Sequence, residues 1–444
     1  MNVIQSSAWF LPQHTGGTEV YVAGLASHLK ALGISSTVAV PVDSAGEAHE
    51  LWEGIPVYRY PAPAQTTYQQ QIGVEPHGEF DRFERWLGRQ PAAIYHQHSW
   101  TYGCGLHHLR AARRRGLRTV LTVHVPGPVC LRGTMLREGK EQCDGVIRER
   151  TCAACWLGSR GMPGVSADVL SRIPVRAARW LRPLGRVGTA LSATSLAQDH
   201  RDHLLSAANN ADHVVAVCEW LHEALLRNGV PREKLSLNRQ GTAEAGAIAA
   251  NRAPFRNDRP LSVAFVGRWD PVKGVDVLVE AMLLLPPGCP VQLQIVAIQP
   301  TDPVMTAYMD RVRARAAAHP GIRIQPPLAP GQMAQFLASV DVLAVPSQWL
   351  ETGPLVVLEA FAAGTPVLGS SLGGIRELVK DGRNGRLLRH DKPRDWADAL
   401  LELAAAPHAL EAWRSGIGPV RSMRDVAMES RDLYASLLKQ PAGG

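Results

Sequence analysis

Two cations, two glutamates and two glycine-led loops mark where this chain could handle a charged ligand. Arg268 and Lys273 lie five residues apart in GRWDPVKGVDVLVEAM, on the loop that leaves the apolar run LSVAFVG and at the start of the next helical pattern. An Arg fork and a Lys point charge fixed there suit a diphosphate. Glu351 and Glu359 bracket TGPLVVL. Thr352, Gly353 and Pro354 fit a turn into a helix start with Leu355, and Glu359 falls on that helix. The eight-residue spacing is near two helical turns, which would turn both carboxylates to one side. Carboxylates accept from sugar hydroxyls, and a helix start offers N–H groups to phosphate. Gly16 and Gly17, in PQHTGGTEVYVAGLASHL, sit between an apolar run and a helix, where the backbone can approach a ligand closely. Taken singly, each feature also fits an ordinary turn or a solvated charge.

The elements that must position these groups follow from the apolar pattern. Strand-like runs fall at 2–5, 36–40, 55–60, 93–98, 119–124 and 213–218. A second series falls at 261–267, 291–297, 322–325, 340–345 and 365–369. Helical patterns intervene, as at 18–32, 275–285 and 331–339. Strands alternating with helices predict parallel sheets covered on both faces, and two series predict two doubly wound domains. AGAIAANRAPFRNDRP places the boundary near 245–260. With 444 residues, 45% hydrophobic and 20% charged, the chain is neither disordered nor fibrous, and it can bury cores without disulfides. No apolar run is long enough to span a membrane. The N-terminus lacks the features of a secretory signal, so the expected compartment is the cytoplasm.

Together these motifs resemble family 4 of the retaining glycosyltransferases, which have the GT-B fold. The resemblance runs through GGTE, ADHVVAVCEWLHEALLRNGVP, GRWDPVKG, the glutamate-x7-glutamate motif and GGIRELVKDGRNGRLL, in that order. It implies an α/β chain of two Rossmann-like domains facing a central cleft. An acceptor-binding domain would span 1–250, a nucleotide-sugar-binding domain 251–424, and a helix over 425–444 would pack back on the first. It further implies transfer of a sugar from a nucleoside diphosphate (UDP, GDP or ADP) to an acceptor hydroxyl, with retention and without a catalytic metal. By the same resemblance, Gly16 and Gly17 approach the donor phosphates, Arg268 and Lys273 neutralise the diphosphate, and Glu351 holds the transferred sugar. Glu359 holds the ribose, the backbone of Gly353, Pro354 and Leu355 lines sugar and phosphate, and His124 stands near the sugar. The chain departs from the pattern at LNRQGTAEAG, where Gln240 replaces a common asparagine. A nucleotide-sugar epimerase or sugar phosphorylase of the same fold is the nearest alternative.

One segment breaks the rhythm. Residues 125–200 separate two strands and carry Cys130, Cys143, Cys152 and Cys155 in C-x12-C-x8-C-x2-C spacing. In a cytoplasmic protein this favours a metal over disulfides. Four thiolates suit a structural zinc, with an iron–sulfur cluster as the other metal reading. The insertion, about 125–165, would lie on the acceptor side. The net charge of +7 is concentrated here: residues 101–200 hold 16 Lys or Arg against 6 Asp or Glu. Arg132, Arg137, Arg148, Arg150 and Arg160, with VRAARWLRPLGRVGTAL beyond, point to an anionic acceptor or a lipid head group. A zinc-stapled nucleic-acid-binding protein is the rival from another class.

Overall fold

The computed structural model describes residues 1–71, 73–182, 185–243, 258–329 and 331–440. Most of the boundary expected near 245–260 lies outside them. The chain forms two compact units, Met1–Gln240 with Met423–Gly444, and Gly241–Ser422.

The first unit is built on an eight-stranded sheet in the order β10-β9-β6-β5-β1-β2-β4-β3. Its strands are β1 (Asn2–Ser6), β2 (Ser35–Val42), β3 (Ala48–Trp52), β4 (Ile55–Pro61), β5 (Ile94–Gln97), β6 (Arg118–Val123), β9 (His213–Ala216) and β10 (Leu235–Leu237). A separate hairpin pairs β7 (Leu136–Arg137) with β8 (Glu141–Gln142). Every pairing in the large sheet is parallel except β3 with β4. Parallel strands covered on both faces read as continuous apolar runs. The pattern therefore shows β1 and β6 but misses β3 and β10. AHELW is a largely exposed edge strand with no apolar run, and LSL is only three residues long.

Much of residues 125–200, where the sequence suggests a cysteine-held insertion, is helical. Helices span Glu149–Ser159, Gly164–Leu170, Val175–Leu181, Gly185–Leu191 and Ala193–Asn210. Ala153, Leu157, Ala167 and Ala193 form a small core of their own. Alanine is the best helix former and buries at little entropic cost, so this segment orders itself by helix packing.

The second unit holds six parallel strands, β11 (Leu261–Arg268), β12 (Val291–Ile298), β13 (Ile322–Gln325), β14 (Val342–Val345), β15 (Val367–Ser370) and β16 (Gly385–Leu388). Their order is β13-β12-β11-β14-β15-β16. Chain connections run outward in opposite directions from β11 and β14. Ligands of such sheets bind beyond the strand ends at this reversal. The last helix, Met423–Lys439, packs on the helix Gly17–Ala31. Val426, Ala427, Tyr434 and Leu437 share one core with Tyr21, Val22 and Leu25.

Candidate active site

In the second unit the two loops at the reversal are sewn together. Gly274 ends the turn after β11 with φ +68°, and a Cβ there would stand 2.1 Å from the Pro346 carbonyl oxygen. Only glycine allows both that backbone and that approach. The Gln348 N–H donates to the Val272 carbonyl at 2.7 Å, and Asp270 Oδ1 accepts from the Val272 N–H at 3.0 Å. Lys273 is thereby carried to Glu351. Its Nζ lies 2.6 Å from Glu351 Oε1 and 5.4 Å from the centre of the Trp349 ring. The Ser347 hydroxyl donates to the same Glu351 oxygen at 2.8 Å. Burial alone would push the Glu351 carboxyl up. The Lys273 ammonium and the hydrogen bonds more than offset this and hold it below the usual carboxylate range. The Gly374 N–H donates to the Glu351 carbonyl, and Gly373 (φ +45°) admits that approach where a Cβ would meet Leu350 Cα at 2.9 Å.

The other expected residues of this unit are arranged differently. Arg268 ends β11, is 57% exposed in its side chain, and faces Asp270 at 3.5 Å. Gly353 and Pro354 precede the helix Leu355–Ala362, with Pro354 as its N-cap residue. Glu359 lies in that helix, whereas Glu351 sits in the loop four residues before it. Helical spacing therefore does not align the two glutamates. The chain stops being helical at the proline, and Lys273 and Ser347 fix the Glu351 carboxylate.

In the first unit, Gly16 is the extended N-cap of the helix Gly17–Ala31. A Cβ on Gly16 would come 2.5 Å from Glu19 Oε2, so the glutamate folds back against the helix start. His124 follows β6 and is buried, with its ring centre 4.6 Å from that of Tyr21 in the same helix. Tyr21 thus ties His124 to the glycine-led helix. Beneath it runs a buried polar string that the sequence reading missed. His124 Nε2 lies 3.1 Å from His98 Nδ1, and His98 Nε2 lies 2.7 Å from Gln5 Oε1. Gln5 Nε2 donates to the Tyr434 hydroxyl at 3.5 Å, which lies 2.6 Å from His96 Nδ1. His96 Nε2 lies 2.7 Å from the Thr122 hydroxyl. Burial pushes His96 and His124 down to about 3, and His98 well below its usual value. The alternation in IYHQHS was the available signal, since His96 and His98 share one face of the sheet.

The four cysteines line one cavity, reached from the turn before Leu131, the hairpin and the first turns of the helix Glu149–Ser159. They are free thiols. The expected four-thiolate zinc geometry is not formed: among the described residues no three His, Cys, Asp or Glu side chains are placed to hold a metal ion. Burial pushes Cys152 up to about 11 and raises Cys143 too, so these groups keep their protons at neutral pH.

Comparison with known proteins points one way. Residues 16–241 match the family described as glycosyl transferase 4-like domain, and residues 260–406 match glycosyl transferases group 1. A D-inositol 3-phosphate glycosyltransferase from Arthrobacter sp. is 26% identical over 88% of this chain and 82% of its own length. One from Actinosynnema mirum is 39% identical over 34% of this chain. That match spans 38% of the relative, and two further relatives are matched over 44% and 42% of their lengths. Among solved structures, sucrose-phosphate synthase from Thermosynechococcus elongatus superposes with TM-score 0.70 at 18% identity, covering 98% of this chain and 99% of that one. HepE of Anabaena in complex with UDP-glucose gives TM-score 0.62 at 14% identity, covering 98% of this chain and all of that one, 100%. Both are GT-B neighbours.

Proposed function

Since the chain belongs to the 4-like, group 1 family of glycosyltransferases and has the GT-B fold, we propose that it is a retaining enzyme. It moves a sugar from a nucleoside diphosphate to an acceptor hydroxyl. The observation that carries this reading is the Lys273–Glu351–Ser347 cluster at the reversal point of the second sheet. Departure of a nucleoside diphosphate builds negative charge on its phosphate oxygens. Arg268 and Lys273 meet that charge, and the helix that starts at Leu355 adds its N–H groups. Pro354 has no N–H, so Gly353 and Leu355 supply the backbone donors there. Glu351 accepts from hydroxyls of the transferred sugar while its other contacts hold it ionised. Glu359 serves the ribose. By the same reading Gly16 and Gly17 serve a phosphate through their backbone, and His124 serves the sugar. The leaving phosphate takes the acceptor proton in front-side attack, so no protein base is assigned and the cations suffice without a catalytic metal.

The acceptor belongs to polysaccharide, glycolipid or secondary-metabolite assembly. The basic helical segment after β6 suits a phosphorylated acceptor or a membrane surface at the cytoplasmic face. In support, Trp180, next to Arg179 in the chain, is 86% exposed, and Val165 80%. Among the described residues no helix is long and apolar enough to cross a membrane.

The direct test is thermal denaturation with UDP, GDP, ADP and their sugars, followed by NMR of the product's anomeric centre. A tight donor raises apparent stability by mass action. Transfer with the donor's own anomeric configuration is expected. An inverted product, or conversion of the donor without an acceptor, would replace this reading with another chemistry of the same fold.

A further inference from the structure

We infer that Gln5 and His98 act as positioning residues that fix the tautomer of His124, with its proton on Nε2 and its lone pair on Nδ1. This deepens the proposed function, because it rests on His124 contacting the sugar and states what that contact must be.

The argument is a chain of single choices. Gln5 Oε1 lies 2.7 Å from His98 Nε2, while Gln5 Nε2 lies 3.5 Å from the Tyr434 hydroxyl. The shorter contact is ordinary for N–H on oxygen and short for nitrogen on nitrogen, so the amide oxygen faces His98. An amide oxygen only accepts, so His98 Nε2 carries a hydrogen. His98 is 2% exposed and its ring lies 4.0 Å from that of His96 and 5.3 Å from that of His124. Such a site disfavours a second proton. A neutral ring protonated on Nε2 leaves Nδ1 as a lone pair. That atom lies 3.1 Å from His124 Nε2, which must therefore donate. His124 is buried and neutral as well, so its Nδ1 is an acceptor.

The remaining contacts run in the same sense. The Gln5 amide donates to Tyr434, the Tyr434 hydroxyl to His96 Nδ1, and His96 Nε2–H to Thr122. The string leads head to tail from His124 to Thr122, two residues apart at the end of β6. All six residues belong to one unit. A histidine held this way can accept a hydrogen bond through Nδ1 and cannot donate one from it.

The experiment is 15N NMR of the full chain labelled at histidine, with the His124 signals identified by their loss in His124→Gln. The expected spectrum shows a protonated Nε2 and a bare Nδ1 at neutral pH. A Nδ1–H tautomer or an imidazolium would overturn the inference. In Gln5→Leu the tautomer should become mixed and kcat/KM should fall about tenfold, the scale of one well-made hydrogen bond. If that variant folds and His124 keeps its pure tautomer, the role given to Gln5 is wrong. The wild-type spectrum decides the first point even if the variant does not fold. A mixed tautomer with unchanged kcat/KM would leave the string standing and remove His124 from the sugar site.

Discussion

Lys273 and Glu351 show how little of a site is written in residue type alone. Their charges were visible in the sequence, but their pairing was not, because 78 residues separate them. Half-burial of the lysine and burial of the glutamate make the pair costly to break. Lys273→Met should destabilise the protein by about 3 kcal/mol in urea denaturation, since it leaves a buried carboxylate without its cation. Adding Glu351→Gln should restore much of that stability but none of the transfer activity. Recovery of both would show that the pair is structural only. Acid sensitivity follows from the same scale. His96 and His124 stay neutral in the folded chain down to about 3, whereas unfolded histidine charges near 6.5. The unfolded state therefore binds more protons over that interval. Stability is complete above pH 6.5 and falls below it, by up to about 1.4 kcal/mol per pH unit for each ring. Glu351, whose folded value is depressed, adds a second loss as pH falls through that value. Denaturation midpoints at pH 7.5, 6 and 5 should trace this slope, and His124→Gln should make it shallower.

At the scale of elements, glycines at two loop crossings set the site. Gly274→Ala must relieve both a left-handed backbone and a 2.1 Å overlap with Pro346. It should cost about 2 kcal/mol or more and reduce donor binding, because the turn carries Lys273. Thermal shift with the preferred nucleotide checks both effects, and a stable variant with normal binding would refute the role of the crossing. The sequence made β11, β14 and their loops legible because buried parallel strands are apolar throughout. It could not show β16, where GRLL is short and opens with Gly-Arg. Nor could spacing place Glu351, since an eight-residue interval has helical meaning only when the chain between is helical, and Pro354 ends that continuity. Cysteine spacing likewise carries no metal geometry by itself: among the described residues no three His, Cys, Asp or Glu side chains are placed to hold an ion.

For the whole molecule, the charge asymmetry leads to a measurable surface property. Arg150 and Arg172 pair with Asp168, and Arg179 and Arg182 pair with Asp199, so part of the positive excess is already met. Val165, Val169 and Trp180 are exposed on the helices Gly164–Leu170 and Val175–Leu181, which carry Asp168 and Arg179. Sedimentation with phosphatidylglycerol vesicles should exceed that with phosphatidylcholine and should weaken with salt. Trp180→Ser with Val165→Ser should lower it several-fold while leaving nucleotide binding unchanged. Equal sedimentation with both lipids would assign this surface to a soluble anionic acceptor instead.

The last helix carries a further consequence for how the protein is made. Tyr434 completes a polar string that begins in the first strand, and Val426 and Leu437 fill a core opened by residues 3–40. A ribosome that has delivered the first 240 residues has delivered a sheet whose apolar flank is still bare. That flank stays open until the entire second unit has been synthesised. Nascent chains arrested before residue 423 should therefore be the ones that chaperones hold and proteases cut.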